Sequence, residues 1–229
     1  VEWMMYPDDT QTFAPFCQGL VKVGKNGKYG LMDGQGHMKL EADYDQITDF
    51  HNGFAFVLKR VPGGKVALSA IIDGKGVVKT ISKDYYIVPK KVFFSEGLMP
   101  VANQQGKVGF IDTHGEMAIP FSYSQALPFS EGYACVWSWS QKVLMLIDKR
   151  GNSIDFELPN GGTPTNGRNF YNGKAFVSDE DDVWFAVDQN GKCSKAGKQN
   201  WNKYDYLMRV GTDAPSNVKY EALVASDKG

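Results

Sequence analysis

The sequence repeats itself at intervals of about 40 residues, and this period limits the possible fold more than any other feature. A phenylalanine followed by a glycine three positions later occurs at five places, whose starts are separated by 34, 44, 35 and 41 residues. These motifs open repeats 1 to 5, and they are Phe16–Gly19, Phe50–Gly53, Phe94–Gly97, Phe129–Gly132 and Phe170–Gly173. A period of this length is typical of proteins that stack one supersecondary unit many times.

The repeats share two further features that predict how each one is built. A valine lies four residues after each glycine, and further on an apolar residue precedes an aspartate, with glycine three residues after that. A four-residue turn with aspartate at its first position and glycine at its fourth is typical of type I. The valines are Val23, Val57, Val101, Val136 and Val177, and the turn aspartates are Asp33, Asp73, Asp112, Asp148 and Asp188. Each repeat is therefore predicted to consist of short strands joined by tight turns.

Repeat 3 shows the expected strands most clearly. Strands are predicted over 97–102, 107–112 and 116–120, with turns at 103–106 and 112–115, and a further short strand within 121–128. No part of the chain shows the 3.6-residue apolar period of an amphipathic helix. The sequence thus predicts an all-β protein.

Repeats 1 and 3 resemble the bacterial WG repeats, also called KWG repeats. The resemblance rests on the Phe-x-x-Gly-x-x-x-Val frame, on Asn26-Gly-Lys-Tyr-Gly-Leu-Met-Asp33, and on Tyr44-Asp45 ahead of Phe50. It extends with varying quality from Phe16 to about Gly191. It implies a structural or binding repeat of cell-envelope or secreted proteins, without a general catalytic motif.

The name-giving Trp-Gly pair is degenerate in this chain. It is Tyr29-Gly30 in repeat 1 and Val108-Gly109 in repeat 3, and the glycine is replaced by Ala70, Met145 and Phe185 in the other repeats. These departures weaken any inference about a shared ligand more than they weaken the inference about the fold.

The two ends of the chain predict a sixth repeat that is divided between them. From about Trp201 the chain resembles a degenerate repeat that stops before its last strand, and residues 1–15 resemble the missing part. A unit divided in this way is how a β-propeller closes its ring and removes exposed sheet edges. We expect residues 1–229 to form one domain of five to six three- or four-stranded β-units in a propeller-like closed toroid. An open β-solenoid is the alternative.

Charge and composition exclude several classes of partner. The chain has 25 basic and 26 acidic side chains, a net charge of -1, so no general attraction to nucleic acid or to anionic lipid is expected. No apolar run is long enough to span a membrane.

Each turn aspartate offers a single carboxylate, whereas calcium needs six to eight oxygens, so we expect no metal site and no cofactor. A monomer is expected.

Candidate binding residues lie where the repeat pattern is interrupted. Repeat 2 carries an insertion that contains Tyr85, Tyr86 and the pair Lys90-Lys91, and repeat 4 carries Trp137-Ser-Trp139 and the loop 160–167. In an extended strand Trp137 and Trp139 lie on one face. If exposed, they form an apolar platform for a sugar or a partner side chain, and if buried, they pack between repeats. The acidic run 179–182 is predicted to be a solvated hairpin tip.

These observations favour a non-catalytic β-repeat module that binds a protein or a glycan, with Trp137, Trp139, Tyr85 and Tyr86 as the candidate contacts. No catalytic residue is assigned, because no nucleophile turn or paired-carboxylate pattern is recognisable. One alternative is a carbohydrate-active hydrolase with its site in the central channel of a toroid. Another is a structural spacer within a larger envelope protein.

Overall fold

The protein is all-β throughout the residues that the computed structural model describes, which are 4–5, 19–81, 83–138, 140–196 and 207–209. For 4–5 and 207–209 only the backbone is described. The strands are β1 Met4–Met5, β2 Leu20–Lys25, β3 Lys28–Asp33, β4 Met38–Tyr44, β5 Gln46–Ile47, β6 Phe54–Arg60, β7 Val66–Asp73, β8 Val78–Thr80, β9 Tyr86–Ile87, β10 Leu98–Ala102, β11 Val108–Asp112, β12 Met117–Tyr123, β13 Gln125–Ala126, β14 Tyr133–Ser138, β15 Val143–Asp148, β16 Asn166–Tyr171, β17 Lys174–Ser178, β18 Trp184–Asp188, β19 Cys193–Lys195 and β20 Leu207–Arg209. Within these ranges there is no helix that could cross a membrane.

Repeats 1 to 3 each supply three strands followed by a two-residue linking strand, and repeat 4 supplies two strands followed by the longer linking strand β16. In repeat 1, β2 pairs with β3 and β3 with β4, and β5 is the linking strand. The hairpin tip between β2 and β3 is Asn26-Gly27, where both φ angles are positive, at 52° and 72°. Two consecutive positive φ angles define a type I′ turn, for which Asn-Gly is the preferred sequence. The strands predicted for repeat 3 are confirmed as β10 to β13.

The linking strands connect each repeat to the next one. Each linking strand pairs with the first strand of the following repeat, β5 with β6, β9 with β10, β13 with β14, and β16 with β17. Strand β9 also pairs with β7 of its own repeat. At the amino end β1 pairs with β2 in the same way, through Met4 opposite Gly24 and Met5 opposite Val23. Because of these pairings, every described sheet contains strands from at least two successive segments of the repeat pattern.

The chain forms two compact units. The first comprises the residues up to Gly106 with Phe110–Ala118, and the second comprises Lys107–Gly109 with the residues from Ile119 onward. In the first unit β2 to β4 form a sheet with β1, and a second sheet runs in the order β10-β9-β7-β6-β5 with β8 on β7. In the second unit the sheets are β13-β14-β15 and β19-β18-β17-β16-β20. Every described sheet is open, so closure into a toroid stays a prediction.

The predicted sixth repeat lies mostly outside the described residues. Of the segment from Trp201, the structure describes Leu207–Arg209, which pairs with Asn166–Arg168 at the edge of the last sheet. Of residues 1–15 it describes Met4–Met5, whose pairing with β2 is given above. The single-domain assignment of 1–229 therefore also stays a prediction.

The repeated valines form the centre of the packing in each repeat. All five are at most 2% exposed. The phenylalanines that open repeats 3, 4 and 5 (Phe94, Phe129 and Phe170) are equally buried, whereas Phe50 of repeat 2 is 37% exposed. The phenylalanine that opens a repeat therefore lies in the core in repeats 3 to 5 but not in repeat 2.

The glycine of the degenerate Trp-Gly pair is required by the path of the third strand. A Cβ atom placed on Gly30 would lie 2.5 Å from the carbonyl oxygen of Leu40, and one on Gly109 would lie 2.5 Å from the carbonyl oxygen of Ile119. Strands β4 and β12 therefore cross directly over these glycines, closer than any side chain permits. In repeat 2 the residue is Ala70, and there β8 pairs with β7 without a register shift.

Candidate functional site

The five turn aspartates hold their own turns together. In each turn the Oδ1 atom accepts hydrogen bonds from the backbone N–H groups two and four residues later, at 2.8 to 3.0 Å. The N–H of the turn glycine donates to the carbonyl oxygen of the same aspartate, at 2.9 to 3.0 Å. These carboxylates therefore bind backbone groups of their own turns.

The hydrogen bonds of these turns stabilise the ionised carboxylates. The backbone N–H of His37 is the largest cause that lowers the pKa of Asp33, to about 2, and Lys39 acts in the same direction. Burial acts to raise the pKa of Asp112, but the N–H groups of Glu116 and His114 outweigh it, so that this pKa also lies below its ordinary value. Carboxylates held ionised in this way serve the turn and are poor proton donors near neutral pH.

A sixth turn of the same kind occurs in the acidic run 179–182, and sequence reasoning missed it. The Oδ1 atom of Asp179 accepts hydrogen bonds from the N–H groups of Asp181 and Val183, at 3.0 and 2.9 Å. The side-chain amide of Asn160 donates to the Oδ2 atom of Asp179 at 2.6 Å. The run is the hairpin tip between β17 and β18, as predicted. Across the described residues no group of three or more His, Cys, Asp or Glu side chains is placed to hold a metal ion.

The Phe-x-x-Gly motifs of repeats 2 to 5 are type I′ turns. The third and fourth residues both have positive φ angles: 51° and 81° at Asn52-Gly53, 53° and 84° at Glu96-Gly97, 53° and 87° at Glu131-Gly132, and 52° and 76° at Asn172-Gly173. Paired hydrogen bonds close these turns, for example between Ser130 and Tyr133 at 2.8 and 3.1 Å. The glycine is required by the positive φ angle, and the motif turns the chain from the linking strand into the next repeat.

These turns also bind the turn of the following repeat. The two carboxylate oxygens of Glu131 accept hydrogen bonds from the N–H groups of Asn172 and Gly173, at 2.7 Å each. The hydroxyl of Ser130 donates to the carbonyl oxygen of Phe170 at 2.8 Å. In the first compact unit the Asn52 amide donates to the carbonyl oxygen of Phe94 at 3.1 Å. The polar positions of the motif therefore join successive repeats.

The structure places the predicted aromatic contacts in different environments. Trp137 is 4% exposed and packs in a buried cluster of the second compact unit with Leu127, Leu144 and Phe170, so it does not present a platform to solvent. Tyr85 is 4% exposed. Tyr86 is half-buried, and the Lys65 ammonium lies 5.1 Å from its ring centre. Trp139 lies outside the described residues.

The insertion of repeat 2 forms the strand β9, which pairs on both sides. Tyr86 lies opposite Ala67 of β7 and also opposite Ala102 of β10. The N–H of Leu68 donates to the carbonyl oxygen of Tyr85 at 2.8 Å. The inserted segment thus joins the strands of repeat 2 to the first strand of repeat 3, and its two tyrosines are neighbours in the same compact unit.

Repeat 2 differs from the rest of the chain in charge. Between Phe50 and Phe93 there are eight basic and two acidic residues, a net charge of +6, although the whole chain has a net charge of -1. The basic residues are Lys59, Arg60, Lys65, Lys75, Lys79, Lys83, Lys90 and Lys91. Two of these lysines already bind carboxylates outside the repeat, Lys59 on Asp43 at 2.5 Å and Lys83 on Glu116 at 2.7 Å. The sequence contains this local excess of positive charge, but the net charge of the whole chain conceals it.

Comparison with known proteins supports the resemblance that the sequence suggested. The family model described as "WG containing repeat" matches residues 29–60 and 109–136. The first segment begins at Tyr29 of the pair Tyr29-Gly30, and the second begins at Gly109 of the pair Val108-Gly109. No curated protein matches the chain.

Several solved structures show a distant likeness. The computationally designed Ika8 protein has 13% identity and a TM-score of 0.36, over 72% of this chain and 54% of that one. Virginiamycin B lyase from Staphylococcus aureus has 14% identity and a TM-score of 0.37, over 78% and 66%. The WD40 β-propeller domain of Doa1 has 10% identity and a TM-score of 0.29, over 76% and 73%. The chain spans less than two thirds of the length of the first two, and scores this low assign neither a fold nor a function.

Proposed function

The chain is a WG-repeat protein, and from this premise we propose that it is a non-catalytic module that binds a partner protein or a glycan. The observation that carries the proposal is that the repeated polar residues form hydrogen bonds within the fold. The turn aspartates and Glu131 bind backbone N–H groups, so the frame is occupied in holding the fold. A binding site is therefore expected where the repeats differ, and repeat 2 differs most in its insertion and in its charge.

The arrangement of the repeats forms part of this proposal. We infer a propeller-like closed toroid in which residues 1–15 complete the degenerate repeat from Trp201, with an open β-solenoid as the alternative. Its support is the pairing of Met4–Met5 with β2, which has the same form as the pairing of β5 with β6 and of β13 with β14. The proposed location is the bacterial cell envelope or the secreted fraction, which rests on the family alone.

The test is a binding assay that also measures turnover. The purified chain is presented with defined panels of oligosaccharides and of synthetic peptides, and the heat-unfolded chain serves as the control. We expect saturable binding of some panel members by the folded chain, with no product formed. Release of sugar products would identify the alternative, a carbohydrate-active hydrolase. Absence of binding to every glycan and every peptide would contradict the proposal and favour a structural spacer.

A further inference from the structure

Strand β8 in repeat 2 has an outer edge that is open to another strand. The N–H of Asp73 donates to the carbonyl oxygen of Val77 at 3.1 Å, and the N–H of Ile81 donates to the carbonyl oxygen of Ser69 at 2.8 Å. Odd-numbered residues of this segment therefore bond toward β7. Alternate residues of an antiparallel strand direct their backbone groups to opposite edges, so Val78 and Thr80 direct theirs outward. Among the described residues, no hydrogen bond reaches these outward groups.

The side chains along this edge are basic and partly apolar. Lys75, Lys79 and Thr80 are exposed, and Val77 is 58% exposed, one of three large hydrophobic side chains in the described part of the chain that stand out to solvent. Glu116 is the nearby carboxylate, and it is bound to Lys83. The carboxylate of Asp73 accepts the N–H groups of its own turn. The edge thus combines free backbone groups, an exposed valine and a net positive charge.

This combination favours one class of partner over the others. Recognition of sugars or nucleic-acid bases relies on exposed aromatic faces, and here Tyr85 is buried and Tyr86 is half-buried beneath Lys65. Phosphate recognition favours the bidentate arginine fork, whereas seven of the eight basic residues in repeat 2 are lysines. Two of these lysines, Lys59 and Lys83, already bind the carboxylates of Asp43 and Glu116. Protein carboxylates are therefore the groups that the lysines of repeat 2 are seen to bind.

We propose that β8 is the docking edge for an extended acidic segment of a partner protein, which adds to the sheet as a further strand. The backbone of the segment pairs with Val78 and Thr80, an apolar side chain covers Val77, and its carboxylates approach Lys75 and Lys79. Strand addition of this kind takes affinity from main-chain hydrogen bonds and specificity from alternate side chains. The inference rests on the proposed binding function and names the partner class.

Lysine on an edge strand also has a simpler explanation, which the experiment must separate from binding. Charged edges discourage unwanted pairing between sheets. If this is the whole role of Lys79, the edge binds no peptide, acidic or otherwise. The edge strand β4 of repeat 1 carries Glu41 and Asp43 as well as Lys39, so its mixed charge suits protection, whereas the one charged residue of β8 is Lys79.

The test uses a fluorescent peptide of about ten residues in which every second residue is aspartate or valine in turn and the others are threonine, so that aspartate and valine share one face as Val77 and Lys79 do. Its length covers a strand of ordinary size. Its anisotropy is titrated with the folded chain at two salt concentrations. The comparison peptides are one with proline at alternate positions, which cannot pair, and one with lysine in place of aspartate. Polygalacturonate and single-stranded DNA are added as competitors that represent the other two polyanion classes.

Each variant is paired with a control variant. Lys75→Glu with Lys79→Glu is expected to weaken binding at least tenfold, whereas Lys195→Glu on the edge strand β19 leaves it unchanged. Thr80→Pro removes an outward N–H and is expected to abolish binding, whereas Thr80→Ala retains it. Circular dichroism checks that each variant is folded, and the proline-containing peptide gives the same information without altering the protein.

Several results would overturn the inference. They are equal binding of the proline-containing peptide, tighter binding of polygalacturonate or DNA, an equal effect of Lys195→Glu, and absence of peptide binding. If panel ligands bind and the acidic peptide does not compete with them, this inference fails while the proposed binding function stands. If neither the panels nor the acidic peptide bind, both fail.

Discussion

Replacing Gly30 with alanine tests why a glycine is needed beside the tyrosine of repeat 1. The added Cβ would lie 2.5 Å from the carbonyl oxygen of Leu40 and 2.8 Å from backbone atoms of Glu41 and Ala42. Optimal carbon contacts are roughly 3.5 to 4.0 Å, so β4 would have to move about 1 Å away from β3. Because all three contacts are backbone atoms, no side chain can rotate to relieve them.

The expected loss of stability follows from two terms. Overpacking in a well-packed region typically costs about 1 to 3 kcal/mol. Weakening one ladder hydrogen bond between β3 and β4 adds about 0.5 to 1.5 kcal/mol. We therefore expect Gly30→Ala to lower the free energy of unfolding by about 2 to 4 kcal/mol. The assay is urea denaturation followed by tryptophan fluorescence, with the m-value checked for two-state behaviour.

Gly34→Ala is the matched control. Gly34 lies four residues away, has no positive φ angle, and has no heavy atom within 4 Å of the position of an added Cβ. Its replacement is expected to leave stability within about 0.5 kcal/mol or to raise it slightly, since alanine restricts the unfolded chain. Equal effects of the two substitutions would refute the close crossing of β4 over Gly30.

Three further predictions follow from the turns and the amino end. Glu131→Ala removes two charge-assisted hydrogen bonds to the turn at Asn172, so unfolding stability should fall by about 1 to 2 kcal/mol in chemical denaturation, whereas Glu180→Ala should change it by less than about 0.5 kcal/mol. The pKa of Asp33 is lowered to about 2, below the unfolded value of about 3.9, so its stabilisation is full above that value and is lost as the pH falls toward 2. The difference in melting temperature between the wild type and Asp33→Asn should therefore shrink over this interval, and a constant difference would contradict the assignment. Deletion of residues 1–8 should strongly destabilise a closed ring, whereas fraying confined to repeat 1 in hydrogen exchange would indicate an open array.

Much of the local structure could be predicted from the sequence, because each turn leaves a residue that the backbone requires. Glycine marks the positive φ angle at the Phe-x-x-Gly turns, aspartate marks the turns that accept two N–H groups, and valine marks the centre of the packing. These requirements are local, so short patterns carry them. The strands and turns of repeat 3 follow from them almost residue by residue.

Contacts between residues far apart in the sequence could not be predicted. Glu131 binds a turn about forty residues later, and nothing near it in the sequence indicates this partner. Alternation predicts the face on which Trp137 lies but not what covers that face, which the structure identifies as a buried cluster. The position of the acidic run between two strands predicts a solvated tip, yet Asp179 is 2% exposed. The positive charge of repeat 2 is offset by the acidic residues of the rest of the chain, so the net charge of -1 does not indicate it.

The most direct test of the account is site-resolved hydrogen exchange with and without the acidic peptide. The account holds that the repeated frame supports the fold and that binding occurs at the edge of β8. It predicts that the amides of Val78 and Thr80 become protected when the peptide is added, while the Asp-x-x-Gly turns of repeats 4 and 5 keep their rates. Protection spread evenly over the repeats, or confined to the loop 160–167, would contradict it.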